Sequence, residues 1–242
     1  MSANKPMKRS GFSQSLYSIS SSKKEEIGTL RITQDGRKFR YAKAGAGALS
    51  PGKMGQAAAV DADWMNQTAV AAAIGTTQIT LTVVSTTVAE DYFAGGYLHI
   101  NDNTGEGHAY PIKSSSAVAA GTSIDIILEQ GVKVALTTSS DFTLVQSPWM
   151  ATVQSTTEES FPIGIPLLDV TEAYYYWAQT GGVAIALAAG TWAVASMLTM
   201  GATAGALSSI NSTLDVDMPI CALAWLTAGV SGEYKPVYLT LD

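Results

Sequence analysis

The chain has 242 residues, 47% of them hydrophobic and only 14% charged, which excludes a disordered protein and supplies enough apolar side chain for one large or two small cores. A single cysteine, Cys221, excludes an internal disulfide framework, and two histidines without cysteine partners leave little material for zinc. The net charge of −6 hides an asymmetry: through Lys53 there are 11 Lys and Arg against three acids, so a segment of +8 precedes a remainder of −14.

Residues 1–56 read as an extended basic N-terminal arm. Its first basic residues are not followed by an apolar run of leader length, so a secretion signal is not expected, and a reducing compartment is. The Asn-x-Thr triplets at Asn66 and Asn211 therefore carry no weight as glycosylation acceptors. Up to about residue 29 the chain is polar and Ser-rich without periodicity. LRIT and KFRYA then flank Asp35-Gly36, a hairpin signal, and Gly-Ala-Gly and Ser-Pro-Gly follow as loop punctuation.

Within that punctuation, GALSPGKM (residues 47–54) has the Gly-x-x-x-x-Gly-Lys spacing of a phosphate-binding loop but carries Met54 where magnesium needs a hydroxyl. Such a loop also follows a buried strand and opens a helix. RKFRYAK is too charged for the first, and Gly55 disfavours the second. Nucleotide binding is not expected.

Residues 57–150 are expected to form a first β domain. AAAVDADWMNQTAVAAAI allows a short helix or an irregular entry. QITLTVV, GGYLHIND, HAYPIKS, SIDIILE, VKVAL and DFTLVQS then follow as short strands at the spacing of a sandwich or barrel. The turn NTGEG lies between His99 and His108 on two hairpin arms. Asp102, Asn103 and Glu106 do not match a calcium loop.

SPWMATVQSTTEESFP reads as a linker, and residues 151–242 as a C-terminal β domain built from YYYWAQT, VAIALAA, TWAVASML, PICALAWL and YKPVYLTLD. Gly181-Gly182, Gly190-Thr191 and Gly229 to Gly232 are expected turns, and the last strand should place Val237, Leu239 and Leu241 inward. GGVAIALAAGTWAVASMLTM has the length of a membrane span, but its alternation, its Gly-Thr break and the absence of Lys or Arg between Lys133 and Lys235 favour two strands.

Nothing nominates an enzyme. Cys221 lies in an apolar strand, no Gly-x-Ser-x-Gly elbow occurs, and the pairs Glu158-Glu159 and Asp215/Asp217 sit in linker-like segments. The basic arm could neutralise phosphates with Phe39 and Tyr41 stacking on bases, tie one subunit to acidic neighbours, or merely solubilise. The acidic remainder disfavours nucleic acid. Some 50 extended residues reach on the order of 160 Å, enough to cross several neighbours in a lattice of subunits.

TQDGRKFRYAKAGAGALSPGKMGQ, GGYLHINDNTGEGHAYPIKS and YYYWAQTGGVAIAL together resemble a recurring pattern in structural proteins of tailed-phage virions, in particular decoration (cement) proteins on the outside of the head. The resemblance implies a non-enzymatic, mainly β protein without cofactor or metal, assembled in the host cytoplasm and placed on the capsid exterior. Its implied partners are the major capsid protein and its own copies as a homotrimer, not nucleic acid or membrane. It implies capsid contact by Arg31, Arg37, Lys38, Phe39, Arg40, Tyr41, Lys43 and Lys53. The alternative is another virion structural protein: a minor capsid, tail or receptor-binding component.

Overall fold

The computed structural model describes residues 11–82, 86–119, 122–156, 160–210 and 218–242. The described chain is mainly β, with two curled antiparallel sheets. In chain order the strands are β1 (Leu30–Ile32), β2 (Lys38–Lys43), β3 (Gly55–Gln56), β4 (Gln67–Thr68), β5 (Gln78–Thr82), β6 (Tyr97–Asp102), β7 (Ala109–Ser115), β8 (Ser123–Leu128), β9 (Asp141–Val145), β10 (Val153–Gln154), β11 (Pro162–Pro166), β12 (Tyr175–Leu187), β13 (Met197–Met200), β14 (Leu207–Ser209), β15 (Ala222–Ala224) and β16 (Tyr234–Thr240). They belong to two compact units, residues 59–147 and residues 1–58 with 148–242.

The 59–147 unit lies close to the expected 57–150 domain and holds one six-stranded sheet in the order β4–β9–β6–β7–β8–β5. Period-2 alternation sends Ile79 and Leu81 of β5, Ile124 and Ile126 of β8 and Phe142 and Leu144 of β9 into a single core around Phe93. Trp64 meets the Phe93 ring edge-on at 4.9 Å. The Ala-rich entry makes only a 3₁₀ turn, Ala62–Trp64, capped by the Asp61 side chain, because a bulky Trp in the core outweighs alanine propensity.

Two expectations shift here. VKVAL is not a strand: Val132 and Leu136 are buried, but Gly131 is pressed against the Gly75 backbone, and loop bonds join Val132 to Thr76 and Leu136 to Ala72. The end of QITLTVV falls outside the described residues, as do Glu158, Glu159, Asn211, Asp215 and Asp217.

The larger correction concerns the arm. Residues 11–58 are part of the same unit as 148–242, with β1 paired to β2 and β2 paired to β12 from Tyr175↔Lys43 to Gly181↔Lys38. The Asp35-Gly36 turn forms as expected, with Gly36 at φ 83°. The physical reason for the docking is the alternation KFRYAK: Lys38 and Arg40 occupy one face of β2 while Phe39 and Tyr41 on the other are fully buried with Leu16 and Trp177. The linker expectation fails for a related reason. Met150 and Thr152 are buried, and β10 pairs with β3.

Gly181-Gly182 is not a turn. YYYWAQT and VAIALAA join into the single 13-residue strand β12, in which Gly182 takes φ 81° and a Cβ there would meet Arg37 Cα at 3.1 Å. The pair of glycines admits the close passage of the β1–β2 turn. Beyond it β12 pairs with β16 in the register Gly181↔Thr240 to Leu187↔Tyr234, rather than forming a hairpin with TWAVASML. The sheet continues β16–β15–β13–β14, and Val237 and Leu239 point inward as expected. Among the described residues no helix is long and apolar enough to cross a membrane.

Candidate functional site

The eight arm residues singled out from sequence are largely spent inside the unit that β2 completes. Arg31 donates to Gln14 O at 2.9 Å and lies over Phe12 and Trp177, 4.8 and 5.6 Å from the ring centres. Arg37 Nε donates to Asp35 at 2.7 Å. Lys38 Nζ reaches Asp242 O, and Arg40 grips the Asp242 carboxylate through Nε and Nη2 while Nη1 holds Gly28 O. Lys43 Nζ stands 5.4 Å from the Tyr175 ring centre.

Phe39 and Tyr41 are core residues. Tyr41 Oη donates to Gln14 and accepts from Lys24 N–H, and burial pushes its pKa up to about 12. They present nothing to a partner while the unit is folded. Lys53 differs, since no ion pair engages its ammonium among the described residues. It lines a groove, and it is the basic residue best placed to meet something else.

The chemistry-bearing candidates become structural. Met54 is buried in the core and donates its N–H to Gly205 O at 2.7 Å, so GALSPGKM is a turn entering β3. His99 stacks on Tyr97 and His108 on Tyr110 beside the NTGEG turn. Cys221 is buried, and desolvation pushes its thiol up to about 12, far from a thiolate. Among the described residues no group of three His, Cys, Asp or Glu side chains is placed to hold a metal ion.

What the structure brings together instead is an apolar sheet face. In the register of β12, β16, β15 and β13, Val183 lies beside Tyr238, Tyr238 beside Leu223, and Leu223 beside Met197. All four are open to solvent, at 37%, 46%, 39% and 51% exposure. Ile185 and Tyr234 add further exposed surface on the same face of β12 and β16.

The opposite face carries Ala184, Ala186, Ala222 and Ala224 into a core with Trp192, Met200 and Leu239. Small residues inside let the tryptophan pack close, and the large apolar side chains are left outside. VAIALA is apolar at both parities, a pattern expected of a strand covered on both faces. That signal is present in the sequence, within the same stretch whose length also matches a membrane span.

Charge divides by unit. Residues 59–147 contain two lysines against nine acids, net −7, whereas the other unit is nearly balanced because the basic segment and the acids of 148–242 share it.

Comparison with protein-family models, curated proteins and solved structures finds no match.

Proposed function

We propose that this chain is a non-enzymatic structural protein of a phage virion, a decoration or cement protein that binds the outside of the head and holds neighbouring capsid subunits. The observation that supports this reading is the exposed Val183–Tyr238–Leu223–Met197 row, because a contiguous apolar sheet face marks a surface built for another protein. A mainly β scaffold whose β2 cations are engaged within the unit fits a docking role better than a chemical one.

In this reading the contact surface is the outer sheet face together with Lys53, and the basic segment is the strap that keeps that face rigid. The acidic 59–147 unit stays in solvent, where its charge of −7 discourages non-specific association. Copies associate as trimers, and many weak contacts sum over the shell.

The test uses expanded heads lacking the protein. Purified chain is added and head-bound protein is measured by sedimentation. The reading requires saturable binding that is lost in a Leu223→Glu, Tyr238→Glu variant whose melt is unchanged. Recovery with tails rather than heads would replace it with the tail or receptor-binding alternative.

A further inference from the structure

We propose that the edge of β12 at Val183 and Ile185 is a strand-addition site that takes an extended peptide segment carrying an acidic residue. This does not rest on the virion reading.

The argument begins at Pro236. It pairs with Ile185 across β12 and β16, and proline has no N–H to give to the ladder. Ile185 therefore occupies a non-hydrogen-bonded position, with its own N–H and C=O directed to the opposite edge of β12. Flanking contacts agree with that parity. Leu187 N–H reaches Gly52 O at 2.9 Å on that side, and the buried Gln179 amide donates to Gly181 O at 3.2 Å and Val183 O at 2.8 Å.

Gln179 and Gly52 thus act as partial stand-ins for a missing neighbour strand. β11 pairs with β12 only at Gln179 and Ala178, so between those two caps the ladder is open. The ladder parity turns both Ile185 N–H and C=O away from β16, and no turn or loop bond meets either among the described residues; Gly52 borders the carbonyl, where a Cβ would stand 3.5 Å from the oxygen. A donor and an acceptor at strand spacing are met together by another backbone, which makes the occupant a peptide strand.

The space is there to receive it. A groove of about 730 Å³ runs along this edge, walled by Gly52, Lys53, Pro166, Leu167, Ile185 and Tyr234. Its apolar walls suit an alternating apolar side chain. Its charges are Arg37, Lys53 and Asp169, and Arg37 is already held by Asp35, so Lys53 is the cation left to recognise an acidic side chain.

The experiment follows amide hydrogen exchange in the full-length protein by NMR. In the free chain Ile185 should exchange at least about tenfold faster than Ala184 and Ala186, whose amides face β16. The probe is a set of acetylated, amidated heptapeptides alternating valine and threonine, each with one glutamate at a varied position. At least one should protect Ile185, and N-methylation of its ladder-facing amides should weaken it about tenfold per lost bond. Lys53→Ala should weaken the glutamate peptide but not its glutamine counterpart.

An Ile185 amide already as protected as its neighbours would overturn the proposal. So would the absence of binding up to about 1 mM across the set, equal affinity of the N-methylated peptides, or shifts confined to Leu223 and Met197 on the outer face.

Discussion

Arg40 and Asp242, 202 positions apart, are joined by two parallel bonds, Nε to Oδ2 at 2.9 Å and Nη2 to Oδ1 at 2.8 Å, with both side chains less than a quarter exposed. This fork ties the strand the sequence assigns to a free arm to the far end of the same unit. Lysine cannot reproduce it, and Arg40→Lys is expected to lower the stability of that unit by about 1–2 kcal/mol. Arg40→Ala should cost more, since it also frees Gly28 O and uncovers the Trp149 ring. Urea unfolding checks both, and midpoints equal to wild type would refute the clamp.

The same pair sets an acid limit. Burial raises the Asp242 carboxyl, but bonds and charge from Arg40, with help from Lys38, more than offset it, and its pKa lies below the usual aspartate value. A depressed folded pKa contributes stability that is present above the unfolded value of about 3.9 and is lost as pH falls through the folded one. Melting temperature should therefore drop below about pH 4, and Asp242→Asn should flatten that part of the curve.

Phe39 was expected at a capsid contact and is instead fully buried. Phe39→Ala should destabilise the unit by about 3–5 kcal/mol, an effect of core truncation. A surface role would leave the unfolding midpoint where it was.

Gly229 packs directly against the indole of Trp192, and any Cβ there would overlap the ring. Gly229→Ala should cost about 1–3 kcal/mol by overpacking. With five tryptophans in the chain the loss is read from the urea midpoint by circular dichroism, and a midpoint equal to wild type would refute the contact.

Self-association should leave the outer sheet face free for the capsid. Light scattering is expected to give the mass of three chains of 25.3 kDa each. Leu223→Glu with Tyr238→Glu should stay trimeric with an unchanged melt, because both side chains project away from the core. A variant that becomes monomeric would make that face a contact between copies instead.

Much of the 59–147 unit was legible, because its strands are amphipathic and near in sequence: the Ile79–Leu81, Leu98–Ile100 and Ile124–Ile126 alternations each mark one buried face. The other unit was hidden by distance. KFRYAK looks like a basic arm until Tyr175 to Gly181 is laid beside it, and no local pattern announces a partner so remote. Gly181-Gly182 reads as a turn by composition, whereas close passage of Arg37 and Lys38 is what requires the glycines. The exposed row was half visible: VAIALA is apolar on both faces, but only the β16 and β15 registers show which side lacks a cover.

The insertion of residues 59–147 between the two parts of one unit also fixes an order of events at the ribosome. β2 emerges early and waits for β12, whose first paired residue, Tyr175, lies 132 positions after Lys43. At about 5–20 residues per second, that interval lasts on the order of 10 s. During it the intervening unit, whose strand partners all lie within itself, can complete its folding. Phe39 and Tyr41 meanwhile remain without their sheet, and on a polysome the nearest available β12 can belong to another nascent copy.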